Sequence, residues 1–246
     1  MKLPMGSLMF ALVIHQAAAH AQASAQPQPA SQAPPPGQAQ PADPSAAGAP
    51  LQQPAASADA QAQVDPTSHR HVGLFVRPDL GLGYLRASES VTGLSATVTG
   101  LAGVAGVALG AAIVENFVLA AHVFDAYTPS PSVSANGTSV PSPNSSVTLW
   151  GIGPEATYYI QPANLYVSGT VGITKMSIST NNVSASTDWG FGFRTAVGKE
   201  WWATDHWGLG VAANITFSTN PDPAANGTKP TLSTWTFGAA FSATYN

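Results

Sequence analysis

The chain contains no cysteine, which excludes disulfides, thiolate metal sites, a thiol nucleophile and a lipid-bearing N-terminal cysteine. It is also short of charge. Asp, Glu, Lys and Arg make up 8% of its 246 residues, against about 25% in an ordinary soluble domain, so a water-facing surface would lack its usual residues. The 8 Lys and Arg are scattered among 12 Asp and Glu, for a net charge of −4. No basic cluster marks a nucleic-acid binder, and nucleic acid is not an expected partner. Residues 22–71 lack aromatics altogether. Neither of the more apolar stretches, at 8–14 and 101–114, reaches the ~20 residues that a membrane-spanning helix requires.

What is present begins with targeting. Lys2 supplies a positive start, residues 8–14 a short apolar stretch, and Ala19-His20-Ala21 a small-residue cleavage site. Cleavage is expected after Ala21, with Ala23 as second choice, so residues 1–21 read as a signal peptide. Residues 22–71 are Ala, Gln, Pro and Ser, including Pro34-Pro35-Pro36. They cannot bury enough apolar surface to offset their ordering entropy and read as a disordered periplasmic linker. His69 and His71, at its end, are too few for a metal site and read as a solvated pair. No metal or other cofactor is expected.

From residue 72 to 246 the pattern changes to an alternation of period two, with segments of about 10 to 14 residues, the length of a tilted transmembrane strand. Eight are read, at 74–87, 101–113, 117–127, 147–160, 165–178, 188–202, 207–217 and 235–245. In the first, Leu74, Val76, Leu80, Leu82 and Tyr84 share one face, and Arg77, Asp79, Gly81 and Gly83 the other. Connections alternate between short (114–116, 161–164, 203–206) and long (88–95, 129–145, 180–187, 219–233), as short periplasmic turns and longer external loops do in outer-membrane barrels. Tyr158, Trp201, Trp202 and Trp207 cluster at the turn ends and read as a membrane-interface girdle. The expected fold is all-β, an eight-stranded antiparallel up-and-down transmembrane barrel. Its expected location is the bacterial outer membrane, with outer-membrane lipid as surroundings.

Three stretches carry a resemblance: Asp79-Leu80-Gly81-Leu82-Gly83-Tyr84, then Gly198-Lys199-Glu200-Trp201-Trp202 into Trp207-Gly208-Leu209-Gly210, and the last strand from Trp235 to Asn246. With them, the segment from Phe75 resembles the small OmpA/OmpX-like outer-membrane barrels. The resemblance implies a barrel inserted by the barrel-assembly machinery through its last strand. Members commonly end on an aromatic residue; here Tyr245 precedes Asn246.

The face bearing small residues also bears Arg77, Asp79, His122, Glu155, Arg194 and Asn214, all expected to point inward. Pairing of adjacent strands is expected to bring His122 near Glu155. A His beside a carboxylate can move protons, but a resemblance to lipid A deacylases would require a Ser two residues after His122, where Phe124 stands. A balanced interior ion network is therefore preferred to a catalytic centre, with no catalytic residue assigned. Gly208-Leu209-Gly210-Val211-Ala212-Ala213 copies a dinucleotide fingerprint in letters only, because no parallel strand precedes it and no helix follows. Gly106 and Gly110 have the spacing of a helix-dimer motif, without the helix it needs. Asn136-Gly137-Thr138 and Asn226-Gly227-Thr228 read as turns. The expectation is a non-enzymatic structural or surface-interaction protein. The alternatives are a small-solute channel and a lipid-modifying enzyme, and any ligand of the external loops is not readable.

Overall fold

A computed structural model of the chain describes residues 71–246 apart from 92–93, 136–137, 182 and 223–229. The expected signal peptide, all of the linker but His71, and the Asn226-Gly227-Thr228 triplet lie outside the described residues. Described residues form no helix. Their strands are β1 (Gly73–Val91), β2 (Leu94–Val114), β3 (Phe117–Pro129), β4 (Ser132–Ala135), β5 (Thr138–Pro141), β6 (Ser145–Ile160), β7 (Leu165–Thr180), β8 (Val183–Ser186), β9 (Gly190–Trp202), β10 (Trp207–Pro221) and β11 (Thr231–Tyr245). Eight of these run antiparallel in the order β1-β11-β10-β9-β7-β6-β3-β2, and β2 pairs back onto β1. The sheet thus closes on itself, which removes the unpaired edges that a lipid environment does not tolerate. Gly208 to Ala213 lie in β10 and Gly106 with Gly110 in β2, so both lookalike motifs are strand.

Short connections occur where the sequence places them. At the first, Asn116 adopts φ 63°, and its backbone joins Tyr159 N–H (2.9 Å) and His71 O (3.3 Å). Asn164 in the second has φ 49°. Asn tolerates this left-handed region better than most side chains, since its short amide can bond locally.

The long connections differ from expectation. Residues 88–91 pair with 94–97 as continuing β1 and β2, β4 and β5 occupy much of 129–145, and β8 lies on β7. Barrel strands consequently run from 13 to 21 residues, as in β3 and β2, rather than 10 to 14. The cause is chemical. These segments are rich in Ser and Thr, which read as loop, yet they alternate and pair through hydroxyls, as in Ser177–Ser186 (2.9 Å) and Ser179–Ser184 (2.6 Å).

The interior is filled in three layers. Nearest the short turns lie Phe75, Val118, Tyr159, Tyr166 and Ala108. A polar layer follows. Beyond it, toward the long connections, Leu85, Val98, Val104, Leu149, Met176, Ile178 and Leu232 form a buried apolar cluster. On the outside, Leu80, Leu82, Leu101, Leu109, Val171, Ile173 and Phe241 are exposed in a band, the distribution of a wall that faces lipid.

Candidate functional site

The six inward residues come from five strands: Arg77 and Asp79 from β1, His122 from β3, Glu155 from β6, Arg194 from β9 and Asn214 from β10. Phe117 pairs with Tyr158, which places Glu155 opposite Ala120 and His122 opposite Gly153. His122 and Glu155 are thus diagonal neighbours on the inner face. Arg77 Nη2 meets Glu155 Oε1 at 2.6 Å, and Arg194 Nη2 meets Asp79 Oδ1 at 2.8 Å. His122 Nδ1 lies 2.8 Å from Glu155 Oε2, while its Nε2 stays 3.8 Å from Asp79 Oδ2. Gly106 opens that second approach: a Cβ there would stand 2.6 Å from Asp79 Oδ2 and 2.7 Å from His122 Nε2.

Two threonines that the sequence reading did not single out complete the cluster. Thr157 Oγ1 donates to Glu155 Oε1 at 3.0 Å, and Thr170 Oγ1 donates to Glu155 Oε2 at 3.1 Å while lying 2.9 Å from His122 Nδ1. Glu155, Thr170 and Arg194 form one row across β6, β7 and β9. The row, read on the right register, was the signal available. Asn214 is buried beside the cluster, but its amide makes no hydrogen bond within the described protein.

Hydroxyl, imidazole and carboxylate therefore stand in line as Thr170, His122 and Asp79, although only the first two are in contact. They are poorly arranged for nucleophilic catalysis. Thr170 is buried and its proton is committed to Glu155, the His122 to Asp79 distance exceeds hydrogen-bond range, and a space of about 10 Å³ remains beside them. That is about what one water molecule occupies. Two Arg against two carboxylates balance the buried charge, which would be costly unpaired. Arg77 also stacks over Tyr166, 4.7 Å from the ring centre.

His71 is a correction. It is fully buried, stacks on Tyr159 with ring centres 3.4 Å apart, and places Nε2 2.9 Å from Asn164 Oδ1. It is no solvated residue, because an aromatic floor and the turn-bound Asn164 offer its ring both apolar contact and a polar partner. Beneath it Glu200 accepts from Tyr159 OH (3.1 Å) and Thr244 Oγ1 (2.6 Å). His71 thus caps the turn end of the barrel.

Of the expected girdle, Tyr158 (55% exposed), Trp201 (52%) and Trp207 (43%) face outward. Trp202 does not; as the strand neighbour of Trp201 it takes the opposite face and lies 5.0 Å from the His71 ring. A second girdle, missed in the sequence, stands at the far end of the same strands. There Trp150 meets Trp189 at 4.9 Å and Phe217 meets Trp235 at 4.6 Å. On β10 and β11 the two girdles lie about ten residues apart, or roughly 25 Å at ~3.3 Å per residue and ~40° of tilt, the height of a lipid-facing band.

No protein-family model matches the chain, and no curated protein does. Among solved structures, it is similar to Neisserial surface protein A, at 13% identity over 70% of this chain and 96% of that one, with a TM-score of 0.49. It is similar also to the outer membrane protein OprG from Pseudomonas aeruginosa, at 12% identity over 73% and 99% with a TM-score of 0.43. For Ail, the attachment invasion locus protein of Yersinia pestis, the values are 11%, 69%, 99% and 0.36. The likeness concerns shape alone, and the architecture stands on the chain's own strand pairing: a closed, eight-stranded antiparallel barrel, as the resemblance to OmpA/OmpX-like barrels implies.

Proposed function

We propose that this chain is an integral bacterial outer-membrane protein that works as a sealed anchor. In this reading the barrel holds a projecting β-sheet wall at the cell surface and the N-terminal segment in the periplasm, and it acts by structure or surface contact rather than by catalysis or conduction. The filled interior carries the proposal. An eight-stranded barrel is just wide enough for side chains to fill, and here aromatic, ionic and apolar layers succeed one another along its axis. A solute path would have to breach all three, and a substrate would have to reach Thr170 and His122 through the same layers.

Purified, folded protein in planar bilayers is expected to show no steady conductance, while running at different positions on SDS gels before and after boiling. Lipid A from cells overproducing it is expected to keep its mass. A large, stable, ion-selective conductance would replace the anchor with a channel, and altered lipid A would replace it with an enzyme.

A further inference from the structure

The lipid-facing wall is not uniform. On β9, β10 and β11 the outward row Val197, Ala213 and Ala239 lies in register next to the row Lys199, Val211 and Phe241. Two adjacent alanines make a floor, while Val197, Val211, Leu165 and the 75% exposed Phe241 stand as walls. The result is a groove of about 430 Å³ with an almost wholly apolar lining. Its turn end carries a cation. Lys199 faces the lipid side two residues inside Trp201, and its ammonium reaches back to the 161–164 turn, where Nζ donates to Ala163 O at 2.5 Å. The ammonium also lies 5.4 Å from the Trp201 ring centre. This is a snorkelling lysine: its stem lies along apolar surface and its charge sits at headgroup level. An ammonium has three N–H donors, so two remain beside Ala163 O.

We infer that this groove is a binding site for one anionic phospholipid of the turn-side leaflet, with an acyl chain on the Ala213–Ala239 floor and the phosphate on Lys199. The inference rests on the membrane reading proposed above. Chain and headgroup requirements are met within one stretch of wall: an apolar furrow along the bilayer, a cation at its interfacial end, and the Trp201 indole, a residue type favoured at that depth. Here a chain gains contact on three sides, and an anionic headgroup gains a charge-assisted hydrogen bond.

The test is native mass spectrometry of the refolded, delipidated full-length barrel, titrated separately with dioleoyl phosphatidylglycerol and with uncharged dioleoylglycerol. The expected result is a saturable one-to-one phosphatidylglycerol adduct. Lys199→Gln should weaken it about fivefold, as fits one lysine at an anionic headgroup, and leave dioleoylglycerol unchanged. Ala213→Phe, which fills the furrow with an apolar group that lipid tolerates, should weaken both ligands. Lys175→Gln, an outward lysine away from the groove, should change neither. An equal loss with Lys175→Gln would reduce the effect to surface charge and overturn the site. So would adducts of many lipids insensitive to Ala213→Phe, or a dimer that covers the face instead. Each variant is first checked for the heat-dependent gel shift. A chain that stays soluble without detergent would sink the membrane reading itself, whereas a heat-modifiable barrel with no single-lipid adduct sinks the groove alone.

Discussion

Removing the Glu155 carboxylate is the most informative single perturbation of the barrel interior. Glu155 receives Arg77 at 2.6 Å, His122 at 2.8 Å, Thr157 at 3.0 Å and Thr170 at 3.1 Å, and it is 2% exposed. Glu155→Leu keeps the bulk and deletes every carboxylate acceptor, leaving Arg77 as a buried cation with Thr157 Oγ1 as a long acceptor, at 3.4 Å. Breaking one side of a buried ion pair typically costs about 3 to 5 kcal/mol. The stacking of Arg77 on Tyr166 does not offset this, since the intact protein already has it. Arg77→Met is expected to cost a similar amount by stranding the carboxylate. The double variant removes both charges and should cost less than the sum by about 2 kcal/mol or more, because buried pairs replaced whole by apolar groups are often near neutral. Asp79 supplies the control: its partner is Arg194 at 2.8 Å, so Arg77→Met with Asp79→Asn should couple more weakly. Equilibrium denaturant unfolding in lipid vesicles, followed by tryptophan fluorescence, reads all of these. Additive effects in the Arg77 and Glu155 cycle would refute the pairing and the account of the polar layer with it.

Three further outcomes follow from other levels of the structure. Val171→Arg, on the outward face near the middle of β7, should destabilise the barrel by about 2 to 4 kcal/mol in vesicles, and a bilayer-restricted label should mark Val171 and spare Thr170; labelling of Thr170 instead would mean a register off by one. His71→Ala removes a stacked ring and a buried hydrogen-bond partner, which should cost about 1 to 3 kcal/mol in the same unfolding assay, where an unchanged midpoint would contradict the cap. Protease added to intact cells should cut within 222–230 before Ser132–Ala135, because β4 is hydrogen-bonded to β2; N-terminal sequencing of the fragments decides, and cleavage ahead of residue 71 in cells with an intact outer membrane would reverse the proposed orientation.

The sequence was most legible where lipid and polar interior lie on opposite faces of one strand. Leu80 and Leu82 against Arg77 and Asp79 announce their sides, and the three short turns fall at the expected residues. It was least legible beyond the second girdle. There the outward residues are Ser88, Ser95, Thr97 and Ser177, whose hydroxyls serve loop and water-facing strand equally well, so paired strand passed for connection. The interior apolar cluster escaped notice for a different reason: Leu85, Leu149 and Met176 lie within segments read as strand but on the face read as small and polar, while Val98 and Leu232 fall outside those segments. Thr170 was legible as an inward residue but not as a partner: a threonine in a strand carries no sign of what it meets until the register of β6, β7 and β9 places it against Glu155 and His122. Trp202 shows the limit of grouping by proximity, because adjacent strand residues necessarily take opposite faces.

The apolar cluster near the long connections has a consequence for where the molecule sits. Along β1 the faces exchange character at Tyr84 and Leu85: below, Leu80 and Leu82 point outward and Arg77 inward; above, Arg86 points outward while Leu85 and Ala87 point inward. On β7 the same exchange separates Val171 and Ile173, exposed outside, from Met176 and Ile178, buried inside. One continuous sheet is therefore built for lipid along one stretch and for water along the next, with no bulge between them on β1. Sinking the barrel by one residue pair, roughly 5 Å along the membrane normal, would carry Arg86 toward hydrocarbon; raising it equally would lift the leucine band into water. The switch of solvents within each strand acts as a depth gauge, fixing the vertical position of the barrel without help from any neighbour.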